Sequence, residues 1–255
     1  MAELKSFKRD GLFVRIFDIR SNMGVEAAKE GAEWIREVLK RKGEANIIFA
    51  AAPSQNDFLA ALIKEDIEWG RINAFHMDEY IGLSEDAPQG FANFLKRAIF
   101  DLVPFKSVNC FNGQNPDTEG ECKRYSKLLL DNPVDIVFMG IGENGHIAFN
   151  DPGVAKFDDP ETVKIAKLDE VCRNQQVNDG CFKSIDEVPT HAYTLTVPAM
   201  MRAERLMLVV PTALKARAIY NTVFGEVDEM VPASVVRTHK GGAVLYTDEA
   251  GASLI

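Results

Sequence analysis

The sequence has few cysteines, and none of them forms a closely spaced pair. Four cysteines are scattered along its 255 residues, at Cys110, Cys122, Cys172 and Cys181. Thiolate zinc sites usually contain CxxC pairs, and small secreted domains carry many disulfides. We therefore expect reduced structural thiols, with no metal site and no disulfide framework.

Long apolar runs are also missing. No run reaches the roughly 18 residues that a membrane-spanning helix needs. The N-terminal segment 1–17 contains lysine and arginine throughout, so it lacks the uninterrupted apolar stretch of a signal peptide. We expect a cytoplasmic protein that does not act on a membrane.

Positive charge is scarcer than negative charge, with 29 lysines and arginines against 38 aspartates and glutamates. The net charge of −9 argues against a surface that binds nucleic acid or anionic lipid, although a local basic pocket is compatible with it. The sequence leaves the oligomeric state open, a homo-oligomer included.

Neither internal repeats nor a flexible linker interrupt the chain. Its 18 glycines and 11 prolines are too few for a low-complexity segment, and 46% of the residues are apolar. A chain of this length can bury roughly 70–75% of its unfolded surface. We predict a single domain over residues 1–255.

Helical and strand-like segments alternate along the chain. Apolar residues from Val25 to Leu39 fall three and four positions apart, which predicts a helix that Gly43 ends. Similar spacing predicts helices at 54–69, 91–102, 118–130 and 212–224. Short apolar runs predict strands at 46–52, 72–77, 134–140, 192–197, 205–210 and 243–247. This alternation is typical of an α/β fold, and we expect a three-layer αβα sandwich around an open, mainly parallel, Rossmann-like sheet.

Three of the predicted strands run directly into polar residues. In parallel α/β sheets, ligands bind at the carboxyl ends of the strands. This rule selects three loops as candidate sites: 50–55 (AAAPSQ), 77–80 (MDEY) and 140–151 (GIGENGHIAFND).

The third loop carries a candidate acid–base pair. Its glycines give the backbone freedom, and His146 is followed five positions later by Asp151. A histidine whose second ring nitrogen is held by a carboxylate suits proton transfer near neutral pH. A histidine and an aspartate that only tie down the loop would give the same pattern.

Asp78, in the second loop, is a second candidate. A carboxylate in a cleft can remove a proton next to a carbonyl or imine once desolvation raises its pKa. An aspartate at this position can equally cap a helix or stabilise a turn. Asp78 and Glu79 should point in different directions if the strand continues, so at most one faces the cleft. We interpret His76 as part of the strand packing.

Three blocks of the sequence resemble the glucosamine-6-phosphate deaminase (glucosamine-6-phosphate isomerase) family in order and in spacing. They are FHMDEYIGL (75–83), FNGQNPDTEGECKRY (111–125) and GIGENGHIAFNDPG (140–153). The related 6-phosphogluconolactonases share the fold and the Gly-His loop. The resemblance implies that glucosamine 6-phosphate is converted to fructose 6-phosphate and ammonia, in amino-sugar catabolism, without a metal or organic cofactor.

The resemblance also implies roles for four residues. Asp78 matches the base that moves a proton between C1 and C2, and His146 matches the acid–base group that opens the sugar ring. Asp151 occupies the position of a carboxylate, usually glutamate, that orients this histidine. Asn144 occupies a position that holds aspartate or asparagine in the family, and its amide can only orient because it does not ionise.

The implied phosphate site departs from the family pattern. The usual Thr-Gly-Gly loop is replaced by Ala-Pro-Ser at 52–54, and proline has no N–H to donate. A helix that begins near Ser54 and Gln55 would still present N–H groups and its dipole to a phosphate. Lys215 matches the family's phosphate lysine. The family's phosphate arginine has no clean counterpart, because the segment 168–182 carries an insertion. Arg173, which aligns better with a neighbouring arginine of the family, is the candidate, with a salt bridge at the surface or in a lid as the alternative role.

Three functions therefore stay open. The first is an amino-sugar-phosphate isomerase/deaminase, which needs both Asp78 and His146. The second is a related sugar-phosphate enzyme, such as a galactosamine-6-phosphate isomerase or a lactone hydrolase, which needs His146 but not necessarily Asp78. The third is a non-catalytic sugar-phosphate sensor, which the altered phosphate loop favours.

Overall fold

Eleven strands and seven α-helices occur in the computed structural model, which describes residues 2–178 and 180–255. The strands are β1 (Glu3–Arg9), β2 (Leu12–Phe17), β3 (Ala45–Phe49), β4 (Ile72–His76), β5 (Asp78–Tyr80), β6 (Ser107–Asn109), β7 (Ile136–Met139), β8 (Val163–Lys167), β9 (His191–Leu195), β10 (Arg205–Val209) and β11 (Ala243–Asp248). The helices are α1 (Arg20–Lys42), α2 (Asn56–Leu62), α3 (Phe91–Leu95), α4 (Thr118–Asp131), α5 (Glu170–Asn178), α6 (Val197–Met201) and α7 (Ala216–Phe224).

Eight of the strands form one sheet in the order β1-β2-β11-β10-β7-β3-β4-β6. Every neighbouring pair in this sheet is parallel except β1 and β2, which form an antiparallel hairpin. A second, antiparallel sheet contains β5, β9 and β8. The predicted open and mainly parallel sheet is confirmed, and the small sheet was not foreseen.

Strand β7 shows why the sheet is covered on both faces. Ile136 and Phe138 pack into a cluster with residues of α1 and α2, whereas Val137 and Met139 pack into a second cluster with residues of α4 and α7. Successive side chains of a strand point to opposite faces, so a strand that is apolar at every position needs helices on both sides. This arrangement confirms the three-layer αβα sandwich.

The central strands end level with one another. Phe49, the last residue of β3, lies opposite His76 at the end of β4 and opposite Phe138 in β7, and Met139 of β7 lies opposite Leu208 of β10. Because these strands are parallel, the loops that follow them leave the same edge of the sheet.

Some predicted elements have different bounds. The helix predicted at 54–69 is a 3₁₀ turn at Pro53–Gln55 followed by α2, which ends at Leu62 because the N–H groups of Lys64 and Glu65 bond three residues back instead of four. The helix predicted at 91–102 consists of α3 and a π-helical segment at Lys96–Phe100. The strand predicted at 192–197 is β9, which belongs to the small antiparallel sheet.

Among the helices that the structure describes, none is both long enough and apolar enough to cross a bilayer.

Candidate active site

The loops after β3, β4, β7 and β10 enclose a cleft of about 470 Å³. This volume is typical of a small-molecule site. All three loops that the sequence selected line the cleft. The fourth loop, at 211–215, was anticipated only through the resemblance that pointed to Lys215.

The loop after β7 is folded tightly around the ring of His146. A Cβ atom at position 142 would lie 2.1 Å from His146 Cε1, so only glycine leaves room for the imidazole. The Gly142 N–H donates to the His146 carbonyl at 2.9 Å, and Gly145 adopts φ of +89°. The glycines therefore place the histidine side chain at the cleft wall.

His146, Asp151 and Asn144 form one hydrogen-bonded group. His146 Nδ1 lies 3.0 Å from Asp151 Oδ1 and 2.8 Å from Asn144 Oδ1. The Asn144 amide donates to Asp151 Oδ1 at 2.9 Å, so its oxygen is the acceptor and His146 Nδ1 is the donor. This pattern leaves His146 Nε2 as the ring nitrogen that is available for a ligand in the cleft.

The Asp151 carboxyl remains ionised in this group. Burial alone would raise the pKa of Asp151, which is fully shielded from solvent. The hydrogen bond and charge of His146, together with the Asn144 amide, outweigh burial and hold that pKa below the usual aspartate value. An ionised Asp151 can therefore stabilise a proton on His146.

The shorter side chain of Asp151 reaches the histidine because the intervening loop closes on itself. The Asn150 N–H donates to the Ile147 carbonyl at 3.1 Å, and the Asn150 amide donates to the Leu195 carbonyl at 2.8 Å. Ala148 adopts φ of +50° within this turn. The backbone of this turn thus holds Asp151 within hydrogen-bond distance of His146.

Replacing Asp151 with glutamate should lower kcat/KM by about 10- to 100-fold, because an added methylene in a fully buried position displaces the histidine ring. Steady-state kinetics of Asp151→Glu would measure this loss. Asp159→Glu is a matched control, since Asp159 is a buried partner of Lys164 that does not line the cleft. Equal or higher activity of Asp151→Glu would show that the site has room for glutamate.

Asp78 is the first residue of β5 and lines the cleft, although it is only 6% exposed. Burial, and then the negative charge of Glu79, raise the pKa of Asp78 well above its usual value. Its carboxylate accepts no hydrogen bond from any described residue, in contrast to Asp151. Such a carboxylate is suited to act as a base.

Glu79 points away from the cleft, as the strand geometry predicts. Its carboxylate accepts hydrogen bonds from the backbone N–H groups of Tyr80, Phe91 and Ala92, at 2.8–3.0 Å. It therefore fixes the start of α3 against β5, and the expectation that only one of the two acids faces the cleft is confirmed.

His76 belongs to the core, as predicted. It is fully buried, and its Nε2 accepts a hydrogen bond from the Phe111 N–H at 2.8 Å. Burial lowers the pKa of His76 to about 3, so the ring stays neutral. It acts as a packing residue beneath the cleft.

Two of the predicted phosphate residues, Ser54 and Lys215, line the cleft. Lys215 is only 6% exposed and ends the 3₁₀ turn at Ala213–Lys215. The Ser54 hydroxyl accepts a hydrogen bond from the Gln55 amide at 3.0 Å. The loops after β3 and β10 therefore lie side by side at one end of the cleft. We call this end, which contains Ser54 and Lys215, the cationic end.

Gln55 does not reach the cleft, contrary to the sequence-based expectation. Its side chain is 1% exposed, and its amide donates to the Val209 carbonyl at 3.0 Å. Its backbone N–H donates to the Ala52 carbonyl at 2.9 Å. Both groups are used inside the protein, so Gln55 ties the β3 loop to β10 instead of facing a ligand.

Arg173 is also absent from the cleft wall. Its guanidinium donates to the carbonyl groups of Ile185 and Val188, at 2.6 and 2.9 Å. These bonds fasten α5 to the 3₁₀ turn at Ile185–Glu187. The structure therefore places Arg173 away from the cleft, and its guanidinium bonds backbone carbonyls and not the carboxylate that the salt-bridge alternative needs.

Several residues that the sequence analysis did not select also line the cleft. They are Arg20, Arg97, Gln175, Gln176 and Thr212. Arg20 follows the unpredicted strand β2, and the two glutamines lie on the unpredicted helix α5, so no pattern in the sequence pointed to them. Thr212 carried no signal either, although its backbone is unusual.

Thr212 adopts φ of +83° and ψ of 149°, a region that is essentially restricted to glycine. Its N–H donates to Asp248 Oδ1 at 2.9 Å, which helps to hold this conformation. The cost of such a backbone is of order 1–3 kcal/mol. The strain lies in the loop that leads to Lys215, where it helps to shape the cationic end.

Thr212→Gly should therefore raise the free energy of unfolding by about 1 kcal/mol, after the entropic cost of glycine is subtracted. Denaturant unfolding of both proteins measures the difference. Thr162→Gly, at a half-buried threonine that is not among the positive-φ residues, should instead destabilise the protein. A loss of stability in Thr212→Gly would contradict the strain.

His146, Asp151 and Cys172 are the described residues whose donor atoms are grouped closely enough to hold a metal, within 4.8 Å of one another. Burial, and the charges of Asp151 and Asp169, raise the pKa of the Cys172 thiol well above its usual range. A thiol must lose its proton to coordinate zinc, so this environment disfavours coordination. The thiol instead packs beside the histidine–carboxylate pair.

An open, mainly parallel α/β sheet with a histidine–carboxylate pair and a buried aspartate at its strand ends is typical of α/β enzymes. The profile of the family described as glucosamine-6-phosphate isomerases/6-phosphogluconolactonase matches residues 20–246. The chain belongs to this family.

Individual relatives agree with this assignment. The glucosamine-6-phosphate deaminase of Bacillus cereus (strain B4264) is 36% identical over 225 residues, which cover 88% of this chain and 84% of that protein. The deaminase of Bacillus anthracis (strain A0248) is similar to the same extent, with 36% identity over 225 residues.

Solved structures resemble the fold over nearly its whole length. A monomeric glucosamine-6-phosphate deaminase matches with a TM-score of 0.85 and 30% identity, covering 95% of this chain and 99% of that one. The 6-phosphogluconolactonase from Trypanosoma brucei matches with a TM-score of 0.80 and 16% identity, covering 97% and 99%. At this lower identity, the likeness shows the fold alone.

Proposed function

We propose that the protein converts glucosamine 6-phosphate to fructose 6-phosphate and ammonia. The observation that carries this proposal is the presence of two separate acid–base systems in one cleft. The His146–Asp151 pair is one, and the buried Asp78 carboxyl is the other. The deaminase activity of relatives at 36% identity supports the same substrate.

Ring opening is the first step, and it needs a proton at the ring oxygen of the sugar and removal of one from the C1 hydroxyl. His146 Nε2 can carry that proton because Nδ1 is held by Asp151 and Asn144. An ionised Asp151 stabilises the imidazolium that forms between the two transfers.

Proton transfer between carbons is the second step. Asp78 removes the proton from C2 of the open-chain sugar while the C1 carbonyl oxygen takes a proton from water, which gives an enolamine. Asp78 then returns the proton to C1, and the electron pair of the amine nitrogen forms a protonated imine at C2. Water then adds to the imine, and ammonia leaves. Each acid–base group can contribute about 10²–10⁴-fold to the rate.

These steps transfer protons and add water, and C1 is reduced as C2 is oxidised within the same molecule, so no external oxidant or reductant is needed. Side-chain acids and bases therefore suffice for them, and we propose that no cofactor takes part. The reaction belongs to the breakdown of amino sugars, including those derived from N-acetylglucosamine, and we place it in the cytoplasm.

The proposal is tested by ammonia and ketose-phosphate assays on a panel of glucosamine 6-phosphate, galactosamine 6-phosphate and 6-phosphogluconolactone. We expect ammonia from the first substrate at an enzyme-like rate. Preference for galactosamine 6-phosphate would contradict the proposed substrate but support the proposed isomerisation and deamination. Hydrolysis of the lactone alone would contradict the proposal, and so would binding of all three without turnover, which indicates a sensor.

A further inference from the structure

Arg20, the first residue of α1, reaches across to the loop that replaces the family's phosphate loop. Its Nη2 donates to the Pro53 carbonyl at 2.5 Å, and its Nε donates to Asp57 Oδ2 at 2.5 Å. Arg20, Pro53 and Ser54 all line the cleft. The guanidinium is therefore part of the cationic end.

The position of this guanidinium is set by the packing of two helices. Gly24 lies one turn further along α1, and a Cβ at this position would be 2.7 Å from Asp57 Cβ. Helices α1 and α2 thus touch at Gly24 and Asp57, which holds Asp57 beside Arg20. The side chain of Arg20 nevertheless remains 31% exposed, so part of it is accessible from the cleft.

The altered loop offers a ligand fewer backbone hydrogen-bond donors. Pro53 has no N–H, and the Gln55 N–H is already bonded to Ala52. Two donors of Arg20 are used by Pro53 and Asp57, but a guanidinium has five N–H groups in a planar fork that suits phosphate oxygens.

We propose that Arg20, together with Lys215, binds the phosphate group of the substrate and replaces the donors that the Ala-Pro-Ser loop lost. The attachment of this phosphate to a sugar rests on the proposed function. The binding of the phosphate group itself does not, so the two can be tested separately.

A purely structural role for Arg20 makes different predictions. If the arginine served only to neutralise Asp57, Arg20→Gln would weaken binding by leaving that negative charge uncompensated, and the double variant with Asp57→Asn would restore phosphate binding. If Arg20 binds phosphate, Asp57→Asn should bind it at least as tightly as the unmodified protein, because a nearby negative charge is removed. The double variant should then remain defective.

The first experiment is calorimetric titration with inorganic phosphate, which needs no turnover. Arg20→Gln should weaken binding by about 10- to 100-fold, the effect of losing a charge-assisted hydrogen-bonding group. Arg36→Gln is the matched control, because Arg36 lies on the same helix and also bonds a backbone carbonyl, that of Asp66, but outside the cleft. It should bind phosphate normally.

The second experiment measures kinetics with glucosamine 6-phosphate. Arg20→Gln should raise KM by about 10- to 100-fold with a smaller effect on kcat, because the lost contact is made before and during the reaction. Unchanged phosphate affinity and KM in Arg20→Gln would overturn the inference, as would loss of binding only in Arg97→Gln, the other arginine at the cleft wall.

The outcomes separate the inference from the proposed function. Weaker phosphate binding in Arg20→Gln without any ammonia release by the unmodified protein would support the phosphate site and reject the deaminase. If the unmodified protein releases ammonia and Arg20→Gln still binds phosphate with full affinity, the deaminase is supported and the phosphate-binding role of Arg20 is rejected.

Discussion

Replacing Asp78 with asparagine should abolish ammonia release and, at the same time, make the protein harder to unfold. The amide is close in size to the carboxyl, but it cannot remove the C2 proton. The loss of a general base predicts a fall in kcat of about 10²–10⁴-fold. A discontinuous ammonia assay at saturating substrate measures this loss.

The expected gain in stability has an electrostatic cause. Burial and Glu79 raise the pKa of Asp78 in the folded protein, so the ionised form destabilises the fold at neutral pH. Asparagine removes this charge. We expect the free energy of unfolding at neutral pH to be higher in Asp78→Asn than in the unmodified protein.

The pH dependence of the stability gain follows from the same shift. A raised pKa in the folded state means that Asp78 favours folding below its unfolded value of 3.8, and that this contribution is lost as pH rises through the folded pKa. The advantage of Asp78→Asn should therefore be small near pH 4 and grow toward neutral pH. In the unmodified protein, kcat/KM should decrease as the pH is lowered and Asp78 becomes protonated. Because the pKa of Asp78 is raised, this decrease should occur at a higher pH than for an ordinary aspartate.

Glu79→Gln provides the neighbouring control for Asp78. Because Glu79 faces the backbone of Tyr80, Phe91 and Ala92 and not the cleft, its variant should keep most of the deaminase activity. Retained activity in Asp78→Asn, or inactivation by Glu79→Gln alone, would mean that the wrong acid has been assigned as the base.

His146→Gln is the second variant with a large expected effect. Glutamine cannot shuttle a proton between the ring oxygen and the C1 hydroxyl, so ring opening would lose its catalyst. We expect kcat to fall by about 10²–10⁴-fold, while the phosphate contacts at the cationic end keep KM within a few-fold. Steady-state kinetics would separate the two parameters.

His191→Gln serves as the control for the histidine variant, since His191 is exposed at the start of β9 and does not line the cleft. It should retain full activity. A normal rate in His146→Gln would remove the histidine–carboxylate pair from the mechanism. A large rise in KM with unchanged kcat would make His146 a binding residue only.

The sequence predicted the central sheet well, because its strands are apolar at every position. Strand β7 shows this pattern clearly, and the run is too short to be confused with a long helix. Strand β1 was missed because most of it is exposed and its residues show no alternation, whereas β2 was missed although its buried and exposed residues alternate. Local pattern is informative only where a segment is covered by the rest of the protein.

The site was predictable to a similar degree. Asp78 and His146 follow buried strands, so the rule for strand ends identified both. Gln55 was misplaced because spacing does not reveal that its amide turns inward to Val209. Arg20 was missed because its place beside Pro53 depends on the contact of α1 with α2, which no local pattern contains.

The central claim is that one cleft both opens the sugar and transfers a proton from C2 to C1 before ammonia leaves. It is tested most directly by incubating the purified protein with glucosamine 6-phosphate in D₂O and following the products by NMR. We predict fructose 6-phosphate and ammonia in equal amounts, with less than one deuterium incorporated at C1 per turnover, because Asp78 returns part of the C2 proton to C1. Absence of ammonia, or a product still carrying nitrogen at C2, would contradict the account.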